Sequence, residues 1–73
     1  MSQVVAIGEE ALLDGYALAF AEVIAAGSPS AVREAWESLG PEVELAILTP
    51  AAREALAPRL RGELRVMWVV VPE

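Results

Sequence analysis

Four side chains that could do chemistry follow short apolar runs of the sequence. Glu9 and Glu10 come directly after Gly8, and Ser28 and Thr49 each stand before a proline. Paired carboxylates can bind a divalent cation or act as general acid and base. A hydroxyl can act as a nucleophile when a base lies beside it. The candidate chemistries are therefore a metal or acid–base site at the two glutamates and a nucleophile at Ser28 or Thr49.

The composition of the chain excludes most familiar forms of that chemistry. There is no cysteine, no histidine and no lysine. Thiolate metal sites, the commonest general base and the Gly-Lys-Ser/Thr core of a Walker A loop are therefore absent from the sequence. Gly8 is not part of a G-x-G-x-x-G pattern, and the two glutamates after it would repel a pyrophosphate. We predict that the chain has no catalytic residues, no cofactor and no metal.

Structural roles account better for the same four side chains. A serine or threonine followed by proline is typical of a helix N-cap and the first helical residue, which is the position of Ser28 and of Thr49. Glu9 and Glu10 stand where a helix is predicted to begin, and negative charge is favourable there. We interpret the two hydroxyls as caps and the two carboxylates as a solvated helix start or a partner contact.

The charge and hydropathy of the chain indicate what kind of partner it has. Eleven acidic residues against five basic ones give a net charge of −6. Nucleic acid and anionic membrane are therefore not expected as partners. Hydrophobic residues make up 56%, above the usual level of about 45–50%, which indicates that some apolar surface meets another protein. No apolar run approaches the roughly 20 residues of a membrane span, so a cytoplasmic location is predicted.

The hydrophobic pattern alternates between strands and helices along all 73 residues. Apolar, β-branched runs predict strands, and apolar positions three and four residues apart predict helices. The predicted elements are a strand at 4–7, a helix at 9–19, a strand at 21–25, a helix that starts at Pro29, a strand at 43–48, a helix that starts at Pro50 and a strand at 64–71. This β-α-β-α-β-α-β order predicts one α/β domain over residues 1–73, a three-layer sandwich with a four-stranded parallel sheet. By analogy with flavodoxin-like and receiver-like sheets, the expected strand order is 2-1-3-4.

Several residues within these elements carry expectations of their own. Gly40 and Pro41 are expected to stop the second helix, and Pro58 to end or kink the third, with one further turn at 59–62. Trp36 is predicted to lie in the core. Trp68 is also predicted to pack in the core, although its strand is a candidate edge of the sheet.

Parallel sheets of this kind place their functional sites outside the carboxyl ends of the strands. The residues expected at that edge are Gly8, Glu9, Glu10, Gly27, Ser28, Thr49 and Pro72. Any ligand chemistry would have to be built from this set.

The segment "AIGEEALLDGYALA" resembles the start of the F subunit of V-type and archaeal-type rotary ATPases. The family opens with a strand, a glycine–acid pair and then a Gly-Phe/Tyr-x-Leu-Ala motif. "AEVIAA", "SPSAVREAWESL", "VELAILTP" and "MWVVVPE" follow in step with its later strands and helix. Phe20 departs from the pattern, because a glycine often stands there. The motif positions are Gly8, Glu9, Gly15, Tyr16, Leu18 and Ala19.

The resemblance implies a function without catalysis by this chain. Members of the family are central-stalk subunits, which help to couple ATP hydrolysis or synthesis in the head to proton or sodium transport in the membrane. The family continues into a C-terminal helix that lies along the D subunit, so the resemblance is to the globular N-terminal domain only. It implies a D-like helical stalk subunit as chief partner, a place at the membrane surface within a complex, and no membrane insertion. The candidate interface residues are Glu9, Glu10, Tyr16, Arg65, Met67 and Trp68.

Two other interpretations of the sequence stay open. A degenerate receiver-like module for signalling or ligand binding would use Glu9 and Glu10, although Thr49 stands where the receiver aspartate is expected. A stand-alone α/β domain would form a homo-oligomer, such as a homodimer, through the long apolar fourth strand.

Overall fold

The computed structural model describes residues 4–14, 21–63 and 66–72. Its elements alternate as the sequence predicts. They are β1 (Val4–Gly8), α1 (Glu10–Asp14), β2 (Glu22–Ala25), α2 (Pro29–Glu37), β3 (Leu45–Leu48), α3 (Pro50–Leu60) and β4 (Met67–Val70).

The four strands form one parallel sheet in the order β2-β1-β3-β4. The predicted fold class and strand order are confirmed. β1 lies in the middle, and residues 5–8 are buried, which is why its sequence is a continuous apolar run. β2 and β4 are the edges. Glu22 on β2 is exposed, as expected for a charge on an edge strand.

The larger part of the core lies between the sheet and the helices α2 and α3. Val5 and Ile7 of β1 and Ala46 and Leu48 of β3 point to this side. They meet buried side chains of the two helices, among them Val32, Trp36, Ala52 and Leu56. The prediction that Trp36 is a core residue is therefore confirmed.

The opposite face of the sheet carries a smaller core beneath α1. Leu13 of α1 packs with Ala6 and Ile47, and Val4 and Val71 lie at its margin. With helices on both faces, the domain has the three layers that the sequence predicts. No helix in the described part of the chain is long and apolar enough to cross a membrane.

The starts of α2 and α3 follow from their N-cap residues. The Ser28 hydroxyl accepts a hydrogen bond from the Ala31 N–H at 3.2 Å, and the Thr49 hydroxyl accepts one from the Ala52 N–H at 3.2 Å. Proline occupies the first helical position in both helices. Both predicted caps are confirmed.

The ends of the helices differ more from expectation. α2 ends at Glu37, before Gly40, because the Ser38 hydroxyl donates to the Ala35 carbonyl oxygen at 2.8 Å and so caps the last turn. The sequence predicts that Pro58 ends or kinks α3, and the first of these alternatives is wrong, since the helix continues to Leu60. Leu60 is buried in the core. Arg59 also makes an ion pair with Glu37 of α2 at 2.5 Å, so packing holds the final turn despite the proline.

Three of the four predicted strands are longer than the observed ones, whereas β1 extends one residue further than predicted, to Gly8. β3 begins at Leu45 instead of residue 43, β2 at Glu22, and β4 spans Met67–Val70 instead of residues 64–71. The second half of the predicted first helix, residues 15–19, lies outside the described residues.

Candidate functional site

The described residues at the carboxyl edge of the sheet form a small cavity. It has a volume of about 130 Å³ and is lined by Glu9, by the loop at 26–29 and by the first turns of α2 and α3. Pockets for small-molecule ligands usually have volumes of about 300–1,000 Å³. This cavity is therefore small for a nucleotide or a similar cofactor.

Gly8, at the end of β1, and Thr49, directly after β3, pack closely against each other beside that cavity. Gly8 has a φ of 153°, and a Cβ atom there would lie 2.2 Å from Thr49 Cγ2 and 2.4 Å from Thr49 Oγ1. The Gly8 carbonyl oxygen accepts a hydrogen bond from the Ala26 N–H at 2.8 Å, and the Thr49 N–H donates to the Ile7 carbonyl oxygen at 3.3 Å. Close packing of the neighbouring strand exits therefore accounts for a glycine at this position.

The hydroxyl of Thr49 is occupied by its structural role. The residue is fully buried, and its oxygen accepts the hydrogen bond that caps α3. Ser28 is exposed and caps α2 in the same way. Among the described residues, no hydrogen bond joins the Thr49 hydroxyl to a carboxylate that could act as a base. The geometry agrees with the interpretation of both residues as caps.

Replacing Thr49 with valine should destabilise the domain by about 1–3 kcal/mol, because the Ala52 N–H would be left buried without a partner. Valine has nearly the same shape, so the loss reports the cap alone. Ser28→Ala removes an exposed cap, where water can replace the hydroxyl, and should cost about 1 kcal/mol or less. Urea unfolding of both variants measures the two costs. Equal costs would show that burial of the Thr49 cap is unimportant.

Glu9 and Glu10 lie at the start of α1 as predicted. The Glu9 carbonyl oxygen accepts hydrogen bonds from the Leu12 and Leu13 N–H groups, both at 3.1 Å, so Glu9 occupies the N-cap position and Glu10 the first turn. Both residues are exposed. Among the described residues, no group of three or more acidic, histidine or cysteine side chains could hold a metal ion.

Only part of the predicted motif and interface falls within the described residues. Gly8, Glu9, Glu10, Met67 and Trp68 are described. Pro72 follows β4 and is exposed. Gly15, Tyr16, Leu18, Ala19 and Arg65 lie outside the described residues, so their roles stay predictions.

A second surface lies on and beside β4. Met67 and Val69 are 74% and 49% exposed on the α1 face of the sheet, and Val70 is 37% exposed on the other face. Trp68 is half-buried and packs against the core next to α2 and α3. The prediction that Trp68 packs with the core is thus confirmed, although part of its ring stays accessible.

A groove of about 230 Å³ runs beside Trp68 along α3. Arg53, Ala57, Leu60 and Arg61 line it together with the tryptophan. The sequence analysis did not identify these two arginines. The sequence does contain a pattern that groups these residues, because positions 53, 57, 60 and 61 have the spacing of one helix face. The groove gives this acidic chain a local basic surface.

At the carboxyl edge, Gly8 and Thr49 pack closely and Ser28 and Thr49 cap helices. β4 presents apolar side chains to solvent, and the neighbouring groove along α3 carries Arg53 and Arg61. Comparisons with family models, with curated proteins and with solved structures find no significant match to this chain.

Proposed function

We propose that this chain is a non-catalytic central-stalk subunit of a V-type or archaeal-type rotary ATPase. It would act through protein contacts that couple ATP hydrolysis or synthesis to proton or sodium transport. Its chief partner would be a D-like helical stalk subunit. The proposal originates in the resemblance carried by Gly8, Glu9 and the "GYALA" motif that begins at Gly15.

The observation that carries the proposal is the close contact between Gly8 and Thr49. In α/β sheets of this order, ligands and catalytic groups occupy the crevice outside the strand ends. Here a glycine without room for a Cβ atom packs on a buried threonine whose hydroxyl caps a helix. Packing and capping account for Gly8 and Thr49 at the usual place for chemistry, which supports a role that depends on binding other proteins.

The exposed apolar residues of β4 support the same role. Met67 and Val69 are large apolar side chains on one face of an edge strand, and both are about half exposed or more. Exposed groups of this kind commonly mark surfaces that contact another protein. Among the predicted interface residues, Met67 and Trp68 are therefore the two whose described positions favour a contact with another protein.

Co-expression of the full chain with a D-like stalk subunit from the same source tests the proposal. A tag on the stalk subunit should recover this chain, and light scattering after gel filtration should give a mass equal to one copy of each. Separate elution of the two proteins would contradict it. Glu9→Gln and Met67→Lys would then show whether the α1 start or β4 contributes to the contact.

The receiver-like alternative predicts a different result with the isolated chain. Titration with Mg²⁺ and with a phosphate analogue should then shift amide NMR signals of Gly8, Ser28 and Thr49. The stalk-subunit proposal expects these signals to stay in place. Shifts confined to these residues would favour the alternative.

A further inference from the structure

The outer edge of β4 presents main-chain groups that pair with no strand in the described part of the chain. The Met67 N–H donates to the Glu44 carbonyl oxygen at 3.0 Å, and the Val71 N–H donates to the Leu48 carbonyl oxygen at 2.9 Å. Successive residues of a strand direct their N–H and C=O groups to opposite sides. The main-chain groups of Trp68 and Val70 therefore point away from β3, into the space beyond the sheet.

The described residues of this edge carry no charged side chain, and Pro72 lies beyond the last residue of β4, Val70. Residues 66–72 read "VMWVVVP" and contain none of the chain's eleven acidic residues and none of its five basic ones. Proteins usually place charges on an exposed edge strand to prevent its pairing with another sheet. The opposite edge follows that rule, since Glu22 of β2 is exposed. The two edges of the sheet are thus protected unequally.

We propose that, in the absence of a partner subunit, β4 pairs antiparallel with β4 of a second copy of this chain; a stalk subunit bound at β4 would replace the second copy. A two-fold axis perpendicular to the sheet would join the two four-stranded sheets into one continuous sheet. The axis passes between Val69 and Val69 of the second copy, so that Trp68 lies opposite Val70 of the second copy. Because both residues direct their main-chain groups outward, each such pair exchanges two backbone hydrogen bonds.

The side chains are complementary in this register. On the α1 face, Val69 meets Val69 of the second copy, and Met67 meets Val71. On the other face Trp68 meets Val70. Every cross-strand pair is apolar, and the pairing covers Met67, Val69 and Val70, which are the exposed large apolar residues of β4.

Charge explains why a second copy fits this edge and not the other. The chain carries a net charge of −6, which opposes association of two identical molecules. Pairing through β4 keeps all acidic residues out of the central strands. Pairing through β2 would place Glu22 within the junction. The inference therefore predicts a closed dimer and no further growth of the sheet.

Sedimentation velocity on the full isolated chain over a concentration series tests the inference. The chain should sediment as a dimer. Val69→Lys should weaken dimerisation by roughly 100-fold, because the two-fold axis brings like charges face to face. Val23→Lys is the matched control, since Val23 is 40% exposed on the same face of the opposite edge strand. This variant should remain a dimer.

Amide hydrogen exchange tests the register. The Trp68 and Val70 amides should be protected in the chain with native sequence and should exchange rapidly in Val69→Lys, while β1 amides stay protected in both. Protection of the β1 amides shows that the variant is folded. A monomer at all concentrations, a dimer that persists in Val69→Lys, assembly beyond the dimer, or unprotected Trp68 and Val70 amides would overturn the inference. The experiment contains this chain alone, so its outcome does not depend on the stalk-subunit proposal.

Discussion

Gly8→Ala should destabilise the domain by about 2–5 kcal/mol and leave much of the chain unfolded at room temperature. Two costs add. Gly8 has a φ of 153°, which an L side chain adopts with strain. The new Cβ atom would also meet Thr49 Cγ2 at 2.2 Å, and the fully buried threonine has little room to move. A domain of this size has only about 5 kcal/mol to lose.

Gly27→Ala provides the matched control. Gly27 lies in the loop between β2 and α2, where a Cβ atom would meet nothing within 4 Å and no positive φ is found. Its replacement should change the free energy of unfolding by less than about 0.5 kcal/mol. Urea unfolding followed by circular dichroism measures both variants. If the two variants were equally stable, the claim that Gly8 has no room for a Cβ atom beside Thr49 would be wrong.

A double-mutant cycle separates the contact from the backbone strain. Thr49→Ala removes the two nearest atoms, Cγ2 and Oγ1. Gly8→Ala should therefore cost at least about 1 kcal/mol less in the Thr49→Ala background than in the native chain. If the free-energy costs of Gly8→Ala and Thr49→Ala were strictly additive, the destabilisation by Gly8→Ala would come from the backbone strain at φ alone.

Leu48→Ala should destabilise the domain by about 2–5 kcal/mol. Leu48 lies on a central strand, is fully buried, and faces the core formed with α2 and α3. Removal of its methyl groups leaves a cavity that the sheet can fill only partly, because β1 and β4 hold β3 on both sides. The variant should show a lower urea midpoint and faster amide exchange throughout the sheet.

Val23→Ala is the control for Leu48→Ala. It also shortens an aliphatic side chain on a strand, but Val23 is 40% exposed on the edge strand β2. Its cost should stay below about 1 kcal/mol. If both variants lost equal stability, the assignment of the main core to the α2 and α3 side of the sheet would be wrong.

Features encoded by neighbouring residues were predictable from the sequence. The apolar run of β1 predicts a strand buried on both faces, and the structure buries residues 5–8. Ser28 and Thr49, each followed by proline, predict the starts of α2 and α3 at the residues where they occur. A cap needs only a hydroxyl and the next turn of helix, so its signal is complete within a few residues.

Features that depend on distant contacts were not predictable. α3 passes through Pro58 because burial of Leu60 holds its last turn, and the exposed ion pair between Arg59 and Glu37 adds little. β4 is shorter than its apolar run because it pairs with a strand of only four residues, Leu45–Leu48. Both outcomes are set by elements elsewhere in the chain.

The candidate site shows the same division. The sequence predicts a tight turn after β1, but it cannot show that Thr49 fills the space beside Gly8, since the two lie on different strands. The groove formed by Arg53, Arg61 and Trp68 joins a helix to an edge strand. It could be recognised only after the strand order was known.

The measurement that tests the central claim most directly is the composition of the rotary ATPase purified from the source organism. A tag on a catalytic-head subunit would isolate the complex, and quantitative mass spectrometry would give the number of copies of each subunit. The stalk-subunit account predicts this chain in the complex at one copy for each D-like subunit. A complex that contains the D-like subunit and lacks this chain would contradict it.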